Sequence, residues 1–119
     1  LLEVSGAELT AAVAQAVGGH AHSGLEFSGM EVRVRPLDEG LGELLSITID
    51  GKPVEPDARI TLATNNFLAG GGDDYFPGDS PKVVREDPML MRELFEHAFQ
   101  RAGTVESVAT NRYVTVLER

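Results

Sequence analysis

Three consecutive glycines followed by two carboxylates form the segment of this sequence best suited to binding a ligand. Residues 70–76 read GGGDDYF. Glycines let another molecule approach the backbone closely, but a phosphate site also needs free backbone N–H groups or a lysine. Residues 62–76 contain no Lys or Arg, and Asp73 and Asp74 would repel an anion. The segment therefore favours a neutral polyhydroxy ligand, whose hydroxyls donate to carboxylates and whose ring stacks on an aromatic side chain.

A second interpretation of the same segment needs no ligand. Residues 70–76 can form an acidic turn in which Tyr75 and Phe76 cap the hydrophobic core. Composition alone favours this simpler interpretation, and both stay open from the residues themselves.

Two histidines separated by one residue raise the question of a metal site. His20 and His22 lie in the pattern Gly-His-Ala-His, and Asp73 or Asp74 could complete a metal centre in a stand-alone enzyme. Such a centre requires three or four converging ligands with partners that hold them. Both histidines follow the end of a predicted helix, where an imidazolium interacts favourably with the helix dipole. This position favours a structural role over metal binding.

Composition excludes several classes of protein. The chain has 119 residues, and 19 acidic against 10 basic residues give a net charge of -9. Such a charge disfavours nucleic acid as a partner. Without cysteine there are no disulfides or thiolate metal sites, and no apolar run reaches the roughly 18–20 residues that a transmembrane helix needs. Residues 1–119 are expected to form one domain, and structured elements predicted close to both ends indicate a domain excised from a longer protein.

Two helices are predicted from their caps and apolar spacing. Ser5 and Glu8 have the spacing of a capping box, and Gly18 and Gly19 are expected to end the first helix. The second helix is predicted to begin at Asp87 and Pro88 and to end at Gly103. The apolar positions of the second helix, which we expect in the core, include Met91, Leu94, Phe95 and Phe99.

Alternating polar and apolar residues predict a strand-rich middle. Residues 30–35 and 45–49 alternate with a period of two, and residues 60–64 and 113–117 also have strand character. Asp50 and Gly51 form the dipeptide that a type I′ hairpin turn prefers. The predicted fold class is α+β, with a mostly antiparallel or mixed sheet packed by two main helices.

Four segments, in the correct order, resemble the C-terminal domain of the 5′-nucleotidase family. The longest, LATNNFLAGGGDDY at residues 62–75, is similar to the family pattern (V/L)-A-T-N-D-F-L-A-x-G-G-D-G-(Y/F). The other three are VSGAEL at residues 4–9, LEFSGM at 25–30 and IDGKPV at 49–54. The resemblance covers essentially the whole chain, and it implies the fold of that domain.

The resemblance also implies a role for individual residues. In the family, the C-terminal domain sandwiches the base of a nucleotide between two aromatic rings and holds its ribose. Tyr75 matches one of these rings, and the other is expected about two residues before Leu1. The substrate-binding residues implied for this chain are Tyr75, Gly71, Gly72, Asp73, Asp79, Gly29 and Ser28. No catalytic residue and no metal ligand is implied here.

The family resemblance further implies partners and a division of labour. An N-terminal metallophosphoesterase domain of the same chain, with two divalent metals, hydrolyses the phosphate ester. This domain by itself is then expected to be catalytically inactive and to carry no cofactor, with a nucleoside or nucleotide as its ligand. Family members are typically exported or bound to the cell surface. Alternatively, the chain is the same-fold module of a hydrolase for nucleotide sugars, 2′,3′-cyclic nucleotides or a sulfur substrate.

One position departs from the family pattern. Asp74 stands where the family usually has glycine, immediately before the aromatic residue. If the backbone there has a positive φ, aspartate tolerates it better than most residues do. We expect a tolerated substitution.

Overall fold

The computed structural model describes residues 1–19, 25–38, 41–76, 81–107 and 113–116 of the chain. Within these ranges, strands and helices are interspersed along the chain, as expected for an α+β fold. The strands are β1 (Leu2–Ser5), β2 (Glu31–Pro36), β3 (Gly42–Ile49), β4 (Lys52–Pro53), β5 (Arg59–Leu62), β6 (Lys82–Val83) and β7 (Tyr113–Thr115). The helices are α1 (Gly6–Val17), α2 (Asn66–Ala69) and α3 (Met91–Ala102). A tight turn at residues 72–74 is closed by a hydrogen bond from the Asp74 N–H to the Gly71 carbonyl at 3.1 Å.

The described strands form two sheets. The first has the order β5-β1-β6, and β1 pairs antiparallel with both neighbours. The second has the order β4-β3-β2-β7, in which β2 is antiparallel to β3 and parallel to β7. The predicted fold class and its mixed strand pairing are confirmed. Strands β1 and β6 were not predicted from the sequence: β6 spans only two residues, and the four residues of β1 lead directly into α1.

Helix α1 forms as its local sequence predicts. The Ser5 hydroxyl accepts a hydrogen bond from the Glu8 backbone N–H at 3.1 Å, and the Glu8 carboxylate accepts one from the Ser5 N–H at 2.6 Å. These two bonds satisfy donors that a helix start otherwise leaves unpaired. Gly19 follows the helix with a φ of 72°, a conformation that glycine adopts readily.

One hydrophobic core underlies the helix and both sheets. The apolar stripe of α1 packs on β1 and β3, and Asp50 and Gly51 have φ values of 50° and 75°, as a type I′ turn between β3 and β4 requires. The buried hydrophobic residues are Leu2, Val4, Leu9, Ala12, Val13, Ala16, Phe27, Val32, Ile47, Tyr75 and Phe76. The last two belong to the glycine-rich segment, so the core supports that segment directly.

Helix α3 begins three residues later than predicted. Asp87 accepts a hydrogen bond from the Met89 N–H at 2.9 Å, so it caps a local turn and not the helix. The helix itself starts after Leu90, whose N–H donates to the Glu93 carboxylate at 3.1 Å. The prediction of a start at Asp87 and Pro88 is therefore wrong, whereas the end at Gly103, with a φ of 71°, is confirmed.

The expectation that the apolar stripe of α3 belongs to the core is wrong. Met91, Leu94, Phe95 and Phe99 are 51%, 51%, 55% and 53% exposed. The rings of Phe95 and Phe99 stack on each other, with centroids 6.2 Å apart. Apolar spacing shows which residues share a helix face, but it does not show whether another element covers that face. None of the helices in the described ranges is both long and apolar enough to cross a bilayer.

Candidate functional site

The glycine-rich segment is preceded by a short helix with two unlike sides. Asn65 caps α2, since its side-chain oxygen accepts a hydrogen bond from the Leu68 N–H at 2.9 Å. Leu68 and Ala69 pack against the hydrophobic core. Phe67, between Asn66 and Leu68, is 59% exposed. The helix therefore holds one aromatic ring at the protein surface while its other side is anchored. We call residues 65–76 the acidic loop.

Two of the three glycines in the acidic loop are required there, each for a different structural reason. Gly71 has a φ of 90°, which side-chain-bearing residues rarely adopt. A Cβ atom on Gly72 would lie 2.6 Å from the Cε1 and Cζ atoms of Phe67 and from the Phe67 carbonyl oxygen. Gly71 therefore supplies the turn, and Gly72 supplies the room for the Phe67 ring to lie against the backbone.

The two aspartates of the acidic loop are exposed and have an unusual backbone conformation. Asp73 and Asp74 both have a φ of 57°, which costs most residues about 1–2 kcal/mol and aspartate less. Position 74, where the family usually has glycine, does have a positive φ. This is the condition under which we expected aspartate to be tolerated better than most residues. The Asp73 carbonyl accepts a hydrogen bond from the Gln15 side chain at 2.7 Å, which ties the loop to α1.

Tyr75 and Phe76 lie in the core. Their exposed fractions are 3% and 6%. Burial raises the pKa of the Tyr75 hydroxyl, and the negative charge of Asp73 raises it further. This burial is what the interpretation of the two rings as a cap on the core predicts. Stacking of a base on Tyr75 stays a prediction, and it requires the ring to become accessible.

The remaining residues implied by the family resemblance lie apart from the acidic loop in sequence. Ser28 and Gly29 are exposed in a bend before β2, and Gly29 has a φ of 84° with open space where a side chain would be. The preceding Phe27 belongs to the same hydrophobic core as Tyr75. The bend at Ser28 and Gly29 and the acidic loop are therefore attached to the same core. Asp79 lies outside the described residues, as do His20 and His22.

The described residues contain no metal-binding cluster, and two concavities of the chain lie away from the acidic loop. Among the described residues, no three His, Asp or Glu side chains are grouped so that they could hold a metal ion. One concavity of about 490 Å³ lies along α3, between Met89 and Arg101, and one of about 260 Å³ lies between Glu3 and Lys82. Neither is lined by residues of the acidic loop. The candidate site is therefore a surface loop with an exposed ring and exposed carboxylates.

Sequence reasoning missed two residues of this site. It did not single out Gln15, because a contact between residues 58 positions apart has no local signature. Phe67 lies within the loop motif of residues 62–75, but that motif assigned it no role. The signal available was its position directly between the Asn cap and the glycines, but sequence could not show which side of α2 faces solvent.

A family model covers the part of the chain that builds this loop. The model described as 5′-nucleotidase, C-terminal domain, matches residues 1–78. The chain belongs to the 5′-nucleotidase C-terminal domain family. The matched range contains α1, β1 to β5 and the whole acidic loop, and it ends before Asp79 and α3.

Known proteins of this family are similar to this chain over part or nearly all of its length. A 2′,3′-cyclic-nucleotide 2′-phosphodiesterase/3′-nucleotidase of Salmonella typhimurium is 32% identical over 71 residues, which are 57% of this chain and 11% of that protein. The crystal structure of a 5′-nucleotidase precursor from Thermus thermophilus superposes with a TM-score of 0.74 and 20% identity, over 99% of this chain and 25% of that one. The structural likeness shows a shared fold, and the chain spans only a small part of either protein.

Proposed function

We propose that this chain recognises the nucleoside part of a nucleotide, stacking the base and holding the ribose. A separate N-terminal metallophosphoesterase domain of the same protein, with two divalent metals, would then hydrolyse the phosphate ester. The observation that carries this proposal is the match of residues 1–78 to the 5′-nucleotidase C-terminal domain. Both matched proteins are named for nucleotide hydrolysis, which supports a hydrolase as the parent.

The charge of the acidic loop supports recognition of the nucleoside and not of the phosphate. Residues 62–76 contain no basic side chain, and the carboxylates of Asp73 and Asp74 are exposed. Carboxylates accept hydrogen bonds from ribose hydroxyls, but they repel phosphate. In this proposal the substrate-binding residues are Tyr75, Gly71, Gly72, Asp73, Asp79, Gly29 and Ser28.

The role of this chain in the reaction would be positioning. By fixing the base and the ribose, it holds the phosphate ester in one orientation, and such orientation lowers the barrier without any catalytic group on this domain. The metals of the other domain would supply Lewis-acid assistance and an activated water. The chain itself is then catalytically inactive and carries no cofactor.

The Salmonella relative favours one second candidate. Its name assigns it to 2′,3′-cyclic nucleotides and 3′-nucleotides, so the parent of this chain could act on those esters with the same nucleoside contacts. A complete parent protein that hydrolyses 2′,3′-cyclic AMP much faster than 5′-AMP would support this candidate over a 5′-nucleotidase. Hydrolysis of either ester by the 119-residue chain would contradict the proposed division of labour.

An amide NMR titration of the chain tests the nucleoside site. A single base stack contributes about 1–3 kcal/mol, less than the ~4.1 kcal/mol of a millimolar Kd, so adenosine and uridine must be taken to their solubility limits. We expect shifts at residues 71–75 and 28–29, with ribose weaker and inorganic phosphate silent. A response to phosphate without one to nucleosides would contradict both the electrostatic argument and the nucleoside assignment.

A further inference from the structure

The acidic loop offers one open aromatic face in the described structure. Its three aromatic residues are Phe67, Tyr75 and Phe76, and only Phe67 is more than 6% exposed. Phe67 is therefore the ring of the acidic loop on which a base can stack without a change of conformation. We infer that Phe67 is a base-stacking residue of the nucleoside site. The inference rests on the proposed function and adds to it a contact that the family resemblance does not assign.

The Phe67 ring lies against the backbone of the acidic loop. A Cβ atom on Gly72 would be 2.6 Å from the Cε1 and Cζ atoms of the ring. The backbone below the ring is closed by hydrogen bonds, from the Gly70 N–H to the Asn66 carbonyl at 2.9 Å and from the Gly71 N–H to the Leu68 carbonyl at 3.1 Å. These contacts restrict the conformations open to the ring, and a restricted ring loses less conformational entropy when a base stacks on it.

The surroundings of the ring match the chemistry of a nucleoside. Asp73 and Asp74 follow Gly72 directly, and both side chains are exposed. The Gln15 side chain donates to the Asp73 backbone carbonyl at 2.7 Å, which anchors to α1 the stretch of backbone that carries these carboxylates. A flat heteroaromatic ring with hydroxyl groups attached can stack on Phe67 while its hydroxyls donate to a neighbouring carboxylate. A purely apolar ligand would make no use of those carboxylates, which water would continue to solvate.

The other exposed phenylalanines do not offer the same combination. Phe95 and Phe99 are 55% and 53% exposed, but each ring already stacks on the other. Both lie on α3, outside residues 1–78 that match the family. They therefore serve as internal controls, with nearly the same exposure as Phe67.

Tryptophan fluorescence tests the inference, because the chain has no tryptophan. Phe67→Trp places the sole indole on the acidic loop, and Phe95→Trp places it on α3 as the matched control. We expect adenosine to quench Phe67→Trp with a quenching constant several-fold larger than that of Phe95→Trp, and ribose to leave both unchanged. Equal quenching constants in the two variants would overturn the inference.

Three further variants separate this inference from the proposed function in the NMR titration. Phe67→Ala should weaken the adenosine response of residues 71–75 about fivefold or more, as the loss of ~1–3 kcal/mol per stacked base requires. Gly72→Ala keeps the ring but displaces it, and should also weaken the response, whereas Phe95→Ala should not. An unchanged response in Phe67→Ala would refute the stacking role while the proposed function stood. No response to nucleosides in the wild-type chain, together with equal quenching of Phe67→Trp and Phe95→Trp, would refute both.

Discussion

The side chain of Gln15 on α1 donates a hydrogen bond to the backbone carbonyl of Asp73, at 2.7 Å. This bond joins the first helix of the chain to the acidic loop across 58 positions of sequence. Both partners are near the surface, so its contribution to global stability is small. Its consequence is local: it holds the backbone of the acidic loop at Asp73 against α1.

Replacing Gln15 should loosen the acidic loop without unfolding the chain. Gln15→Met keeps a side chain of similar length but removes the donor, so we expect a stability loss of less than about 1 kcal/mol. Amide hydrogen exchange at residues 71–75 should become several-fold faster, since local opening no longer breaks this bond. Gln100→Met, at an exposed position of α3, is the control. Unchanged exchange in the loop would show that the bond does not restrain it.

The positive φ of Asp74 predicts an order of stability among three residues at this position. Asp74→Gly should lie within about 0.5 kcal/mol of the wild type, since relief of the backbone strain is offset by the greater freedom of glycine in the unfolded chain. Asp74→Ala should lose about 1 kcal/mol, because alanine adopts the left-handed conformation without a polar side chain to support it. Urea denaturation measures both, and equal stability of the two variants would contradict the left-handed backbone.

The exposed stripe of α3 predicts an unequal response to the same substitution in two helices. Leu9 on α1 is 3% exposed and Leu94 on α3 is 51% exposed. Leu9→Ala should therefore cost about 2–5 kcal/mol, and Leu94→Ala less than about 1 kcal/mol. Thermal or urea denaturation at several protein concentrations checks the pair. A loss in Leu94→Ala as large as that in Leu9→Ala would mean that the α3 face is covered in solution.

The raised pKa of Tyr75 predicts its behaviour in alkali. The chain has two tyrosines, Tyr75 and Tyr113, so in Tyr113→Phe the tyrosinate absorbance reports Tyr75 alone. Burial first, and the charge of Asp73 second, should hold this titration above the ordinary value of about 10. Asp73→Asn should move it part of the way back, while Asp74→Asn serves as the control. A midpoint at or below that of free tyrosine would contradict the buried position.

The same shift has a defined consequence for stability. Because the pKa of Tyr75 is higher in the folded chain than in the unfolded chain, the folded state holds this proton more tightly. The contribution to stability is complete below pH ~10, the ordinary value, and is lost as the pH rises through the folded-state pKa. Unfolding free energy in Tyr113→Phe should accordingly fall above that pH, and this part of the fall should be absent in Tyr75→Phe.

The sequence by itself determined those features that depend on neighbouring residues. The capping box of Ser5 and Glu8 and the turn at Asp50 and Gly51 form because their partners are close neighbours in the chain. The motif of residues 62–75 indicated the family, and residues 1–78 match its model. These features depend on residues close together in the sequence, so they could be predicted without knowing which other elements pack against them.

The tertiary structure alone decided which apolar surfaces are covered. Spacing placed Met91 and Phe95 on one face of a helix, but it could not show that this face lies open, nor that Tyr75 is buried while Phe67 is not. The central place of β1 between β5 and β6, and the parallel pairing of β2 with β7, also join residues far apart in sequence. Burial depends on elements brought together from distant parts of the chain, and periodicity records only the direction in which a side chain points.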